Sequence, residues 1–383
     1  MKRIKMIILF ILMTFISGCW DVTEPERMLY IYGVGVDYKD NKYEVYAQIV
    51  NFANIAKSEQ PNLELNQIEV GHGSGKTIDD AIFSLYRSMD LKLFWGHFSY
   101  LIFSEEVLKN GNANPVINGF IRYRETRYQT WVYTTTDPIK DVLLLTPIFN
   151  KAMTLSKISD PENSYKQDSL VEPIDLRELI IMLNEPNYEV KIPLITIKEN
   201  WETEKELDKA ASILGVGVIS PTDFKGFIQG DKIRGLQWMT EETVRSELTF
   251  KIDPHEESYM TVILDDLDVK VKPIVTRDNV NFDIDIRVNV LVSEFQGKIT
   301  PEEIRKGVIK QVKKEIEDTY KEGLKNEIDI YRLSEYVYRQ KVETWKEQQT
   351  DGKVRLSEDS INDLNVVVGK IYSGRKSFEE TIE

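Results

Sequence analysis

A chain of 383 residues, 42% of them hydrophobic, is long enough to bury cores in about two or three domains. Its 63 acidic against 49 basic residues, a formal net charge of −14, argue against a nucleic-acid partner, which needs clustered Lys and Arg to meet phosphates, and against broad adhesion to anionic lipid. The single cysteine excludes an internal disulfide framework.

That cysteine ends the first hydrophobic run. Lys2, Arg3 and Lys5 form a basic start, Met6 to Phe15 is an apolar stretch interrupted only by Thr14, and Ile16-Ser17-Gly18 leads into Cys19. This is the three-part pattern of an export signal, and it is too short for a bilayer span of roughly 20 apolar residues. Small residues before a cysteine match the recognition box of a bacterial lipoprotein. The diacylglyceryl transferase needs a free thiol, and the signal peptidase needs small side chains beside the cleaved bond. We therefore expect a signal peptide over 1–18, lipidation at Cys19 and attachment to the membrane through that lipid. Two acyl chains, at about 0.8 kcal/mol per buried CH₂, anchor firmly where one would not.

Beyond Cys19 the chain alternates strands and helices. Met28 to Asp37 and Tyr43 to Val50 read as a hairpin closed by Lys39 to Lys42. Ile68 to Val70 leads into Gly71-His72-Gly73-Ser74-Gly75-Lys76-Thr77. The spacing misses a phosphate-binding loop by one residue, since four residues must separate the first glycine from Gly-Lys-Thr. The stretch reads instead as a strand-to-helix turn, with Thr77 as cap and Asp80 completing a capping box. Ile78, Ala81, Ile82, Leu85 and Met89 then share one helical face. Phe98 to Phe103 is a continuous apolar run, as in a strand covered on both sides. Short helices are expected at Glu105 to Lys109 and Pro115 to Arg122, a strand at Gln129 to Thr135, and a helix at Pro138 to Leu145 capped by Thr136 or Asp137. Asn150 to Val171 reads as a surface excursion, Pro173 to Leu183 as a helix and Val190 to Ile197 as a strand. The charged stretch Glu199 to Lys209 marks a domain boundary.

In the second half, Ala211 to Ile219, Phe224 to Ile228 and Ile233 to Trp238 read as strands. Tyr259 to Val275 and Val280 to Ser293 form the clearest pair, alternating as an antiparallel sheet with one wet face does. The alternation slips at Asp265-Asp266, as at a bulge. Thr300, Pro301 and Glu303 open a long helix in a capping box. Its apolar residues Ile304, Val308, Val312, Ile316, Tyr320 and Leu324 recur every four residues, so the stripe winds by about 40° per step and should meet different neighbours at its two ends. A helix at Ser334 to Gln348 and a strand at Asn365 to Tyr372 close the chain. The expected fold is α+β (mixed α/β) and multi-domain, with mixed and antiparallel sheets and packed helices. An N-terminal α/β part would occupy 19–200 and a C-terminal α+β domain 210–383.

No chemistry beyond Cys19 is legible. His72, His97 and His255 lack metal-ligand spacing, no Gly-x-Ser-x-Gly elbow occurs, and pairs such as Asp265-Asp266 and Glu256-Glu257 fit a solvated acidic surface better than a glycosidase pair. We expect no catalytic, cofactor or metal site, and no enzyme.

Gly18-Cys19-Trp20-Asp21 with Glu24, then Gly35-Val36-Asp37 ending a strand, resembles the start of the Ger(x)C spore germination lipoproteins. So do Gly75-Lys76-Thr77, Gly96-His97, the strand from Ile213 to Val218, the stretch Gly235 to Trp238, and Trp345 after a charged helix. Pro25 departs from the family's usual apolar residue. The resemblance implies the C subunit of a nutrient germinant receptor, non-catalytic, partnered by integral-membrane A and B subunits on the outer face of the spore inner membrane. A solute-binding lipoprotein of an ABC transporter would share the lipobox and the size, and a lipid-anchored cell-wall hydrolase is the weakest of the three readings.

Overall fold

The computed structural model describes residues 27–50, 68–122, 126–186, 189–204, 207–252, 258–276, 279–295 and 299–373. Cys19, the signal stretch 1–18 and His255 lie outside the described residues.

The first half is built on one nine-stranded sheet. β1 (Met28–Lys39) and β2 (Lys42–Val50) form the expected hairpin, turned by Asp40 and Asn41 at positive φ, the left-handed pair that matches strand twist. β3 (Ile68–Gly75) pairs with β2, so the glycine run is strand and not turn. The reason is spacing. Gly71, Gly73 and Gly75 fall on the face covered by α1 (Ile78–Tyr86), where a Cβ on Gly73 or Gly75 would overlap the helix backbone at Ala81. The helix begins as expected, with Thr77 accepting from the Asp80 N–H at 3.1 Å, but the Asp80 carboxylate accepts from Lys76 N–H and not from the cap residue.

β4 (Lys92–Phe94) adds a short parallel contact to β1, and β5 (Tyr100–Ser104) lies parallel to β1 in the middle of the sheet. α2 (Glu105–Leu108) and α3 (Ala113–Arg122) cross to β6 (Trp131–Thr135), parallel to β5. α4 (Ile139–Leu143), α5 (Pro161–Tyr165) and α6 (Leu176–Asn184) lead to β7 (Val190–Glu202), parallel to β6. β5 is buried throughout, as its apolar run predicts. Leu101 and Phe103 join the core under α1, α2, α3 and α6, while Tyr100 and Ile102 join the opposite core under α4. That second core also takes Met153 and Ile158, so the polar stretch 150–171 is anchored and not purely superficial. Asp137 does not cap α4; its carboxylate accepts from the Ile197 N–H of β7 at 2.7 Å.

β8 (Leu207–Ile219) and β9 (Phe224–Gln229) continue this sheet as antiparallel strands. The charged stretch from Glu199 therefore lies at the turning end of the β7–β8 hairpin. Division of the chain near residues 200–210 is a proposal about domains, and the strand pairing runs across it. Gly230–Trp238 is a 3₁₀ helix, not the expected strand.

The second sheet runs β10 (Glu247–Lys251), β11 (Tyr259–Val275), β12 (Val280–Phe295), β15 (Ile361–Ser373). β10 has no counterpart in the sequence reading. The β11–β12 register shifts between Leu264 and Asp266, where the alternation slips, and β15 pairs parallel to β12, which makes the sheet mixed. α7 (Pro301–Lys325) carries the full capping box. Its stripe residues Ile304, Val308, Val312, Ile316 and Tyr320 share one core, and beside the stripe Gly307 lies against the Phe250 ring, Arg305 reaches the Val368 and Gly369 carbonyls of β15, and Gly323 lies against Ile330. The final helix is two, α8 (Leu333–Gln340) and α9 (Val342–Gln348), broken at Lys341, whose φ of −143° and ψ of 54° are not helical. The short hairpin of β13 (Gln349–Thr350) and β14 (Lys353–Val354) follows. Val216, Val218 and Ile228 of β8 and β9 share one core with this sheet, α7 and α8.

Candidate functional site

The motif residues singled out in the sequence that fall among the described residues are dispersed over the fold, and several act as structural fasteners. Asp37 at the end of β1 accepts from its neighbour Tyr38 N–H at 2.8 Å and from Ser104 Oγ at 2.5 Å. Ser104 is also the cap of α2, so one carboxylate ties strand to helix start. Below it, Tyr100 Oη donates to Gln48 Oε1 and Gln48 Nε2 donates to the Leu143 carbonyl, both at 2.5 Å in a fully buried chain. Burial holds the Tyr100 phenol well above its usual pKa. Gly96 turns against the Phe94 ring, and His97 sits edge-on to Tyr30 and Phe94 with ring centroids 5.4 and 5.9 Å away. Burial, then the nearby Arg127 charge, lowers the His97 pKa, which favours neutral imidazole. Trp345 donates to the Gly352 carbonyl at 3.2 Å and packs edge-on to Tyr338.

The stretch Gly235 to Trp238 is fastened most firmly. Glu315 of α7 is 5% exposed. Its two oxygens accept from Trp238 Nε1 at 2.7 Å, Gln237 Nε2 at 3.2 Å, Arg234 Nε at 3.1 Å and Gln311 Nε2 at 3.1 Å. That fills a carboxylate's acceptor capacity of about four lone-pair sites. Gly235 N–H donates to Thr319 Oγ1 at 2.9 Å, and a Cβ on Gly235 would collide with the Tyr331 hydroxyl and the Glu315 carbonyl. This close seat against α7 explains why the segment coils instead of extending.

One arrangement looks like a catalytic triad. On the β2–β3 surface, Glu44 accepts Ser74 Oγ at 2.6 Å and contacts His72 Nε2 at 2.5 Å, with Tyr46 stacked on the imidazole. A nucleophilic triad puts the histidine between acid and hydroxyl. Here the acid stands between them, so nothing is placed to take the Ser74 proton except the carboxylate. No group of His, Cys, Asp and Glu side chains among the described residues could hold a metal ion.

The feature with binding geometry is a cleft of about 440 Å³ where the first sheet meets the second half of the chain, within the range of about 300–1,000 Å³ of small-molecule sites. Its floor and walls include Glu172, Lys191, Glu242, Arg332, Glu335 and Tyr336. The loop between α7 and α8 is clamped to the start of β7 beside it. Glu189 accepts from the Asp329 N–H at 2.6 Å and from Lys353 Nζ at 2.5 Å, and Lys191 Nζ donates to the Ile330 carbonyl at 3.2 Å. Asp329 in turn accepts from the N–H groups of Leu333 and Ser334 at the start of α8. Arg332 holds a positive φ of 57° and pairs with Glu335. Burial raises the Asp329 pKa, and desolvation lowers that of Lys191 against the pull of Glu172. Desolvation, then the like charge of Glu242, raises Glu172.

None of these cleft residues is a sequence-predicted site residue. Lys191 leaves a trace, a lone cation inside the apolar run Val190 to Ile197, and Glu315 another, an acid beside the apolar stripe of α7. Neither trace names a distant partner: the Ile330 carbonyl that Lys191 meets and the Trp238 indole that Glu315 meets each lie over 70 residues away.

Comparison with known proteins gives a consistent match. The profile of the "Spore germination protein N-terminal domain" matches residues 21–197, and that of "Spore germination B3/ GerAC like, C-terminal" matches 214–366. The chain is similar to spore germination protein B3 of Bacillus subtilis (strain 168), 23% identical over 299 residues, covering 76% of this chain and 75% of the relative. It is also similar to spore germination protein KC of the same organism, 20% identical over 373 residues, covering 91% and 90%. Among solved structures it resembles the GerBC protein, with a TM-score of 0.54 at 15% identity over 90% of this chain and 97% of that one, a likeness of fold.

Proposed function

The chain belongs to the Ger(x)C family of spore germination proteins, and from that premise we propose that it is the lipid-anchored, non-catalytic C subunit of a nutrient germinant receptor. In this reading Cys19 carries the lipid, the protein sits on the outer face of the spore inner membrane, and its partners are the integral-membrane A and B subunits. The observation that carries the reading is the match of both halves of the chain to spore germination profiles, covering 21–197 and 214–366. Two further observations support it. No described helix is long and apolar enough to cross a membrane, and the reading assigns attachment to the lipid on Cys19. The described motif residues of the family resemblance, such as Asp37, Trp238 and Trp345, make contacts within the fold, in keeping with a protein that works by contact.

Deletion of the gene tests the proposal. Spores lacking it should fail to germinate toward one class of nutrient and respond normally to others. Unchanged germination toward every nutrient tested would overturn it.

A further inference from the structure

The cleft beside β7 holds charges that no described residue pairs. Lys191 has three N–H donors, and the described residues take one of them, through the Ile330 carbonyl at 3.2 Å. Glu172, which exerts the largest electrostatic pull on that ammonium, makes no hydrogen bond or close ion pair with any described residue. Glu242, beside it on the cleft wall, makes none either. Glu335 of the lining is matched by Arg332 and Arg339, and Glu189 beside the cleft by Lys353, while Glu241, a further acid of the lining, makes no ion pair with a described residue.

A cation and an anion attract across this space without touching, in a site that strips both of part of their hydration. Leaving them so costs free energy that a bridging group of both charges would recover, because charge-assisted hydrogen bonds are stronger than neutral ones. A lone anion would satisfy Lys191 and repel Glu172 and Glu242. A lone cation would do the reverse. We propose that this cleft binds a small zwitterion, its carboxylate on the free donors of Lys191 and its ammonium between Glu172 and Glu242.

The site stands on the cleft geometry and does not rest on the receptor reading. Calorimetry on the detergent-solubilised full-length chain tests it, with glycine and 4-aminobutyrate as zwitterions of different charge separation, and acetate and methylammonium as single-charge controls. At least one zwitterion should saturate at one per chain, at least about tenfold tighter than either control. Glu172→Gln, which keeps the side chain's shape, should weaken that binding by about tenfold or more, as should Lys191→Met. Glu69→Gln on β3 should leave it unchanged. Absence of saturation below about 10 mM, equal binding of acetate or methylammonium, or unaltered affinity in Glu172→Gln would overturn the proposal. Spore germination measures the receptor reading separately, so either can fail while the other holds.

Discussion

Removing the carboxylate of Glu315 tests the fastening of the 3₁₀ segment to α7. Glu315→Ala strips acceptors from Trp238 Nε1 and Gln237 Nε2, side chains 1% and 2% exposed. Each orphaned buried donor costs about 1–3 kcal/mol. Arg234 keeps its second partner, Glu247, and Gln311 is partly exposed, so those two add little. The expected loss is about 4 kcal/mol, a large part of the roughly 5–15 kcal/mol that stabilises a typical domain. Glu315→Gln retains one acceptor oxygen and turns an amide N–H₂ toward the other donors, so it should cost about 2 kcal/mol. Equilibrium urea unfolding of the single variants, of Trp238→Phe and of the Glu315→Ala, Trp238→Phe double variant gives the coupling. The double variant should be more stable than additivity allows by about 1–2 kcal/mol, because no indole N–H is left stranded. Additivity within about 0.5 kcal/mol would refute the claim that this carboxylate serves the indole.

Three further predictions concern other parts of the chain. Gly73→Ala should destabilise by about 1–3 kcal/mol or more, because its Cβ meets backbone of α1, whereas Gly71→Ala meets mainly the movable Leu85 side-chain end and should cost less; thermal unfolding compares them, and equal losses would contradict the packing argument. Cys19→Ala should abolish the lipid mass and release the protein from washed membranes, and unchanged mass and retention would remove the anchor from the proposal. For pH, a carboxyl whose pKa is raised on folding holds its proton more tightly in the native state, so its penalty is present when it is ionised and is relieved as pH falls through the folded pKa. The stability of the parent chain relative to Glu172→Gln should therefore rise as pH is lowered through the upper carboxylate range, Glu172 being raised by desolvation and then by Glu242. Denaturant unfolding across that range measures it, and a difference that falls with decreasing pH would show the sign to be wrong.

Local signals were dependable wherever a residue's role is settled by its neighbours in sequence. The capping box at Thr300, Pro301 and Glu303 starts α7, the slip at Asp265-Asp266 is a register shift, and the unbroken run into Phe103 is a strand covered on both faces. The failures share a cause. The glycines from Gly71 to Gly75 look like a turn because glycine suits turns, but here they make room for α1. Ile233 to Trp238 reads as a short strand, yet Glu315, 77 residues from Trp238, fastens it as a 3₁₀ helix.

The sequence by itself determined the class of protein: an acidic chain with one cysteine after a basic and apolar N-terminal stretch, a mixed α and β fold and the motifs of a spore germination family. These are composition and short-range pattern, which need no partner to be read. Only the tertiary structure decided that β7 and β8 carry one sheet past the charged stretch at 199–209, and that Lys191, Glu172 and Glu242 face one cleft. Charge pairing acts through space across a partly desolvated gap, and separations of that kind leave no period or spacing in the chain.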